Sequence, residues 1–425
     1  MKKPRRLFRS RRREADKRTR ERGLQEREFA IMVAGLIHRA GEPIRPKYHA
    51  ETFSLIGRGK QELHLRNAYE EYRRAPRRGR EELLRIWVRS WFRGASDVPE
   101  LYEDARSDLL PVIWRRGCYE CELLEQQQNG KKRAFPCQLL GEHFSVSLAY
   151  DWPECKLHVI EKQLADWGVG FDQAIEVARE NLRGMSREGL EEAAPGFWIS
   201  PWHDDYDDAR ILLPDLIEQC EVKGVHVVML PHKNFLLVTG SEDSEGLERM
   251  ASLTEDFYTA PRFLSGIPLI LREGWRPFEL PKEHSLFGRY QSLRHLTMAL
   301  DYSWQAKLLN DCYRQQGDLF VAATFTKPGY KWPTIAYWSE CVDTLLPETA
   351  IIGFQSLCQA ERSVIAVAEW DRVREVVGDL MEPVGLYPER YRVRSFPNPD
   401  QIEAIKGDGW VLHELLRQGG TARQP

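Results

Sequence analysis

Val225 to Gly240 reads VHVVMLPHKNFLLVTG. Two apolar runs of strand length, Val225 to Leu230 and Phe235 to Thr239, flank Pro231, His232, Lys233 and Asn234, which predicts a β-hairpin. Ser244 to Phe257 follows with helical spacing. A hairpin followed directly by a helix points to an α+β fold of mixed helices and short antiparallel sheets. Ile351 to Met381 gives the same order of strand, turn, strand and helix, which suggests an internal duplication of this unit, although that order is common and the residue identities are few.

Upstream of the hairpin, Phe197 to Trp202 reads as extended and Asp205 to Cys220 as mostly helical. Phe144 to Tyr150 alternates as a strand does, and Val159 to Trp167 is a helix closed by Gly168 and Gly170. Asp172 then caps a helix through Ala174, Ile175, Ala178 and Leu182. Nearer the N-terminus, Phe29, Met32, Val33, Leu36 and Ile37 recur at three and four residues, one apolar stripe on a helix that stops at Gly41 and Pro43. A half-buried strand at Thr52 to Ile56, a helix through Ala68, Tyr69 and Tyr72, and a helix from about Arg80 to Phe92 follow. The pattern weakens between Ser96 and Pro136, where Gln126 to Arg133 reads as a polar loop. Downstream, a helix from about Tyr290 precedes β runs at Leu319 to Phe325, Ile351 to Phe354 and Val364 to Ala368, and then two more helices.

The chain has 425 residues, more than one hydrophobic core usually holds. The expected division is a basic disordered tail at 1–24, a body at 25–285 with a sub-boundary near 95–140, and a smaller C-terminal α/β module at 286–425. The formal net charge of -3 is unevenly spread: residues 1–23 carry twelve Lys or Arg against three acidic residues, a net of +9, so the remainder carries -12. No apolar run reaches the roughly 18–20 residues of a membrane span, and no apolar signal-peptide core follows the basic start. With 8 irregularly placed cysteines there is no disulfide framework to read. A cytoplasmic location in a reducing compartment is the expectation.

Four stretches resemble one family when taken in order. They are HLRNAYEEYR (His64 to Arg73), QLADWGVGFDQAIEVARENL (Gln163 to Leu182), DYDDARILLP (Asp205 to Pro214) and the hairpin itself. Together they resemble the YtpQ-like bacterial proteins over residues of about 25 to 280. The resemblance implies a shared fold and a bacterial cytoplasmic origin; the family's molecular function is unknown, so it implies no reaction. Family members tend to carry an acidic residue after the hairpin proline, where this chain has His232, Lys233 and Asn234 after Pro231. Chemistry that used an aspartate there would be missing here.

The densest polar constellation is His203, Asp204, Asp205, Tyr206, Asp207, Asp208 and Arg210. On a helix, Asp204 and Asp208 share one face and Tyr206 and Arg210 another, a pattern able to hold a hard metal ion or perform acid/base work. The structural alternative is that acidic side chains in a first turn complement the helix dipole, while Ala209, Ile211, Leu212 and Leu213 are buried. His203, Asp205, Asp208, Arg210 and His232 are the candidate catalytic residues. Cys118 and Cys121 have the spacing of a zinc knuckle, but Cys137 and Cys155 do not supply its second close pair, so no metal is expected. No phosphate loop, H-E-x-x-H or G-x-S-x-G motif occurs, and no cofactor is expected. Tyr330, Trp332, Tyr337, Trp338 and Trp370 read as core material rather than a ligand groove.

In the tail, Arg5, Arg6, Arg11, Arg12, Arg13, Lys17 and Arg18 are candidate polyanion-binding residues, through which a weak nucleic-acid or anionic-surface contact would form. The expected function is a non-catalytic binding or adaptor role toward a protein or small-molecule partner. A metal-dependent or acid/base hydrolase built on the 203–210 cluster is the alternative, and polyanion association through the tail is the third reading.

Overall fold

The computed structural model describes residues 26–50, 52–58, 61–93, 98–128, 135–152, 155–258, 262–313, 319–326, 333–356 and 363–406. The tail and the polyanion-binding candidates lie outside the described residues, as do Tyr330 and Trp332. Packing divides the chain into two units, one of Met1–Leu109 with Ala149–His158 and one of Leu110–Leu148 with Val159–Pro425.

In the first unit, the helix at 26–39 turns inward the stripe read from the sequence: Phe29, Val33 and Ile37 are buried, joined by Ala30 and Ala34. Strands Lys47–His49, Ser54–Ile56 and Glu62–His64 form an antiparallel sheet with the second at its centre, Leu55 facing Tyr48 on one side and Leu63 on the other. Helices Arg66–Arg74 and Arg80–Trp91 add Ala68, Tyr69, Val88 and Trp91 to the same core. Each large side chain removed from water there contributes about 1.5–3 kcal/mol. The Trp91 indole N–H donates to Glu42 Oε2 at 3.0 Å, so the ring is buried without orphaning its polar atom. Strand Cys155–His158 pairs antiparallel with residues 149–152.

The second unit is centred on a six-stranded antiparallel sheet in the order Trp275–Pro277, Leu269–Leu271, His226–His232, Phe235–Gly240, Phe197–Ile199, Glu191–Ala194. Its two central strands are the predicted hairpin, in register Val228 to Val238 and Met229 to Leu237. Helix Ser244–Tyr258 supplies Leu247, Met250 and Ala251 to a core with Val227, Met229 and Leu237. Helix Glu161–Trp167 ends at Gly168, whose φ of 68° suits a residue without a Cβ. Helix Phe171–Gly184 begins at Gly170, not at Asp172, which lies inside the first turn.

Helix Phe287–Tyr313 serves two cores. Tyr290 and Leu293 pack under the six-stranded sheet, whereas Ala306 and Leu309 pack with Val321 and Leu345. Beyond it, two sheets mix parallel and antiparallel pairs. One runs Leu319–Val321, Asp343–Pro347, Arg390–Val393, Glu382–Pro383, and the other Ile335–Ser339, Ile351–Ser356, Ser363–Glu369. Trp338, Phe354, Ala366, Val373 and Ile402 bury themselves between the second sheet and helices Trp370–Val377 and Pro399–Lys406. The hairpin-and-helix order thus recurs at Ile351–Val377, with different neighbours. Ile351–Ser356 takes a parallel strand on its free side, whereas His226–His232 takes an antiparallel one.

Two expectations need correction. The weak stretch between Ser96 and Pro136 holds strand Leu109–Arg115 and helix Arg116–Gln128. That strand buries five consecutive residues, Leu109 to Ile113, so it lacks the polar/apolar alternation by which a strand is recognised. Asp205 to Cys220 is mostly helical as read, with a 3₁₀ turn at Asp208–Leu212 and a short helix at Pro214–Glu218, but the residues before Asp208 form a tight loop and not the helix on which Asp204 and Asp208 would share a face.

Candidate functional site

The loop that replaces the expected helix start is built by aspartates bonding to nearby backbone, the competition with helix that this residue type offers. Within it, the N–H groups of His203 and Asp204 donate to the buried Asp207 carboxylate at 3.1 and 3.2 Å, and the Tyr206 N–H donates to Asp204 Oδ1 at 3.0 Å. His203 and Asp205 take left-handed φ values of 53° and 66° to close the turn.

The charged side chains then spread outward to separate partners. Arg210, fully buried, donates to Asp204 through Nη1 at 2.9 Å and Nη2 at 2.7 Å, and to Ser186 Oγ through Nε at 2.8 Å. Its guanidinium also lies 4.0 Å from the centre of the Trp202 ring. Burial pushes the Asp204 carboxyl up, but the hydrogen bonds and charge of Arg210, with backbone N–H donors, outweigh burial and hold it below the usual carboxylate range. Asp205 accepts from Arg262 Nη1 at 3.1 Å on both oxygens. Asp208, buried, pairs with Lys233 Nζ at 3.1 Å, and Lys233 also donates to the Ile113 carbonyl. Lys233, in the turn of the hairpin, therefore places a cation opposite Asp208. His203 Nδ1 contacts the Asn234 carbonyl at 3.1 Å, and His232 Nδ1 accepts the Asn234 N–H at 3.1 Å. His226 Nε2 bonds the Cys220 carbonyl at 2.9 Å.

Of the five candidate catalytic residues, Asp205, Asp208 and Arg210 pair with Arg262, Lys233 and Asp204 respectively. Among the described residues no group of three or more His, Cys, Asp or Glu side chains is arranged to hold a metal ion. Cys118 and Cys121 sit on helix Arg116–Gln128, their thiols pushed up by burial to about 11 and about 12, the state of an inert thiol rather than a nucleophile.

Three further features were not legible as sites. In the first, Arg115 Nε donates to the buried Asp301 at 2.7 Å and its Nη1 to the Phe263 and Leu264 carbonyls, both at 3.2 Å, while Gly117 leaves room for Asp301. Burial pushes the Asp301 carboxyl up despite Arg115. In the second, His143 Nδ1 lies 2.6 Å from the Tyr387 hydroxyl with Arg116 stacked 4.2 Å from that ring's centre; burial, then Arg294 and Arg116, lowers His143 to about 4.

The third is a pocket of about 450 Å³ in the first unit, lined by Glu28, Phe29, Met32, Tyr69, Tyr72, Arg73 and Arg80. The helix at 26–39 supplies its first three residues, and Arg66–Arg74 the next three. Phe29 meets Tyr69 and Tyr72 with ring centres 5.2 and 5.3 Å apart, an aromatic wall. The i, i+3 spacing of Tyr69 and Tyr72 was visible in the sequence, but the same spacing marks a core stripe, so it did not distinguish a wall from a core.

No family model matches the chain, and no solved structure matches it. Curated proteins do. The chain is 31% identical over 105 residues to a protein of Staphylococcus haemolyticus, covering 23% of this chain and 36% of that one. It is 28% identical over 144 residues to one of Halalkalibacterium halodurans, 32% of this chain and 54% of the relative. A protein of Listeria welshimeri matches at 23% over 201 residues, 45% of this chain and 71% of its own. These relatives are UPF0354 proteins. UPF0354 is an uncharacterised bacterial family, in accord with the resemblance to YtpQ-like proteins read from the sequence. The match spans only 36% and 54% of the first two UPF0354 relatives, and their names carry no activity to compare. Among the described residues no helix is long and apolar enough to cross a membrane.

Proposed function

We propose that this protein is a non-catalytic binding or adaptor protein that receives its partner in the aromatic pocket of the N-terminal unit. The supporting observation is that pocket. Its volume of about 450 Å³ lies in the range of ligand sites, and it combines aromatic rings in tilted contact with a few charged groups, the usual composition of such sites. The 203–210 cluster favours the same reading, since its carboxylates bind cations and backbone of their own fold instead of converging on one reacting atom.

Ligand-detected NMR with a fragment library tests the proposal. Fragments should contact the wild-type protein and lose that contact in Met32→Trp, which fills the pocket, while far-UV circular dichroism stays unchanged. Equal contact in both proteins, or none in wild type, overturns the pocket as the binding site. The hydrolase alternative predicts that Asp205→Asn and Asp208→Asn lose bound divalent metal without unfolding, and elemental analysis of the purified variants decides it.

A further inference from the structure

We infer that the N-terminal pocket takes a planar ligand bearing an oxyanion, a carboxylate or a phosphate, on its ring. This rests on the pocket being the binding site. Two guanidinium groups stand at its wall over aromatic rings: Arg73 Cζ is 5.6 Å from the centre of Tyr69 and Arg80 Cζ is 4.9 Å from that of Tyr72. Arg80 is held in place, since Nε donates to the Ala75 carbonyl at 3.1 Å and Nη2 to the Arg73 carbonyl at 3.4 Å. Its Nη1 makes no hydrogen bond among the described residues, and the Arg73 guanidinium makes neither a hydrogen bond nor an ion pair there. Both cations therefore keep donors for an incoming group. A guanidinium fork matches carboxylate and phosphate oxygens, and prior stacking on a ring lowers the entropy lost on binding. Glu28 is the sole carboxylate in the lining, so the wall carries a net positive charge. The rings of Phe29, Tyr69 and Tyr72 offer faces and edges to a flat body attached to the anion.

Calorimetric titration of the full chain with phenyl phosphate, benzoate, phenol and benzylamine tests this. The two anions should bind roughly tenfold or more tightly than phenol, and benzylamine no better than phenol, because one charge-assisted contact is worth about a factor of ten. Whichever anion binds more tightly identifies the oxyanion source. Arg80→Gln and the more exposed Arg73→Gln should each bring anion affinity toward that of phenol, and added salt should weaken only the anions. If phenol matches the anions in wild type and both variants bind unchanged, the oxyanion inference falls while the pocket stands. If no probe binds, and Met32→Trp has no effect on any fragment, both fall.

Discussion

Arg210→Met removes a guanidinium that is wholly shielded from water while keeping most of the side chain's volume. The loss comprises two charge-assisted bonds to Asp204 at 2.9 and 2.7 Å, one bond to Ser186 at 2.8 Å and the stack 4.0 Å over Trp202. Breaking one side of a buried ion pair costs about 3–5 kcal/mol. Because the Asp204 side chain is 27% exposed, water replaces part of what the carboxylate loses, which places the expected cost near the lower end, about 3 kcal/mol. Asp204→Asn should cost at least as much, since it strands a buried cation. The double variant should be less unstable than the sum of the singles, as expected for residues in direct contact. Urea unfolding followed by circular dichroism measures the total, and hydrogen exchange across 200–240 locates it.

The pH dependence has a definite sign. Asp204 is held below its ordinary carboxylate range in the folded protein, so its contribution is fully present above the unfolded value of about 3.9 and is lost as pH falls through the lower folded value. The advantage of wild type over Arg210→Met should therefore narrow below about pH 4. A cost under about 0.5 kcal/mol, with exchange at 203–208 unchanged, would refute the view that the aspartate segment is a structural staple.

Gly117→Ala should destabilise by roughly 1–3 kcal/mol, because an added Cβ would overlap the Asp301 side chain in a region where Arg115 prevents retreat; an unchanged melting temperature refutes the close approach. The imidazoles of His143 and His295, both lowered by burial to about 4, should stay neutral down to about pH 5 in a nitrogen-detected NMR titration. Their stability contribution is present above the unfolded value of about 6.5 and lost as pH falls toward 4, so a folded-state midpoint near 6 for His143 contradicts its burial beside Arg294 and Arg116. Removal of residues 1–23, which carry a net of +9, should abolish salt-sensitive retention on heparin; equal retention of the truncated chain counts against a polyanion role for the tail.

Local periodicity made much of the fold legible. The stripe from Phe29 to Ile37, the hairpin from Val225 to Gly240 and the helix after it were readable because each element shows one face to a core and another to water. Leu109–Arg115 escaped notice for the opposite reason: with five consecutive residues buried there is no contrast between faces. Ile335–Ser339 and Arg390–Val393 escaped as well, being strands of only 5 and 4 residues, too short for an alternation to stand out. At the candidate site, composition pointed to Asp204 through Arg210, but the helical geometry assumed for them was wrong, since aspartates that bond local N–H groups favour a turn over a helix.

The sequence by itself determined the α+β class, the main helices and strands and the likeness to UPF0354 proteins, because these follow from the order of apolar and polar side chains along short segments. Only the tertiary structure decided which charge meets which. Arg115 finds Asp301 across 186 positions, and Lys233 finds Asp208. The pocket likewise exists only when the helix at 26–39 and Arg66–Arg74 come together, leaving a gap beside rings that on either helix alone read as core. Coulombic pairing and cavity shape depend on distances through space, and a linear order of residues does not contain them.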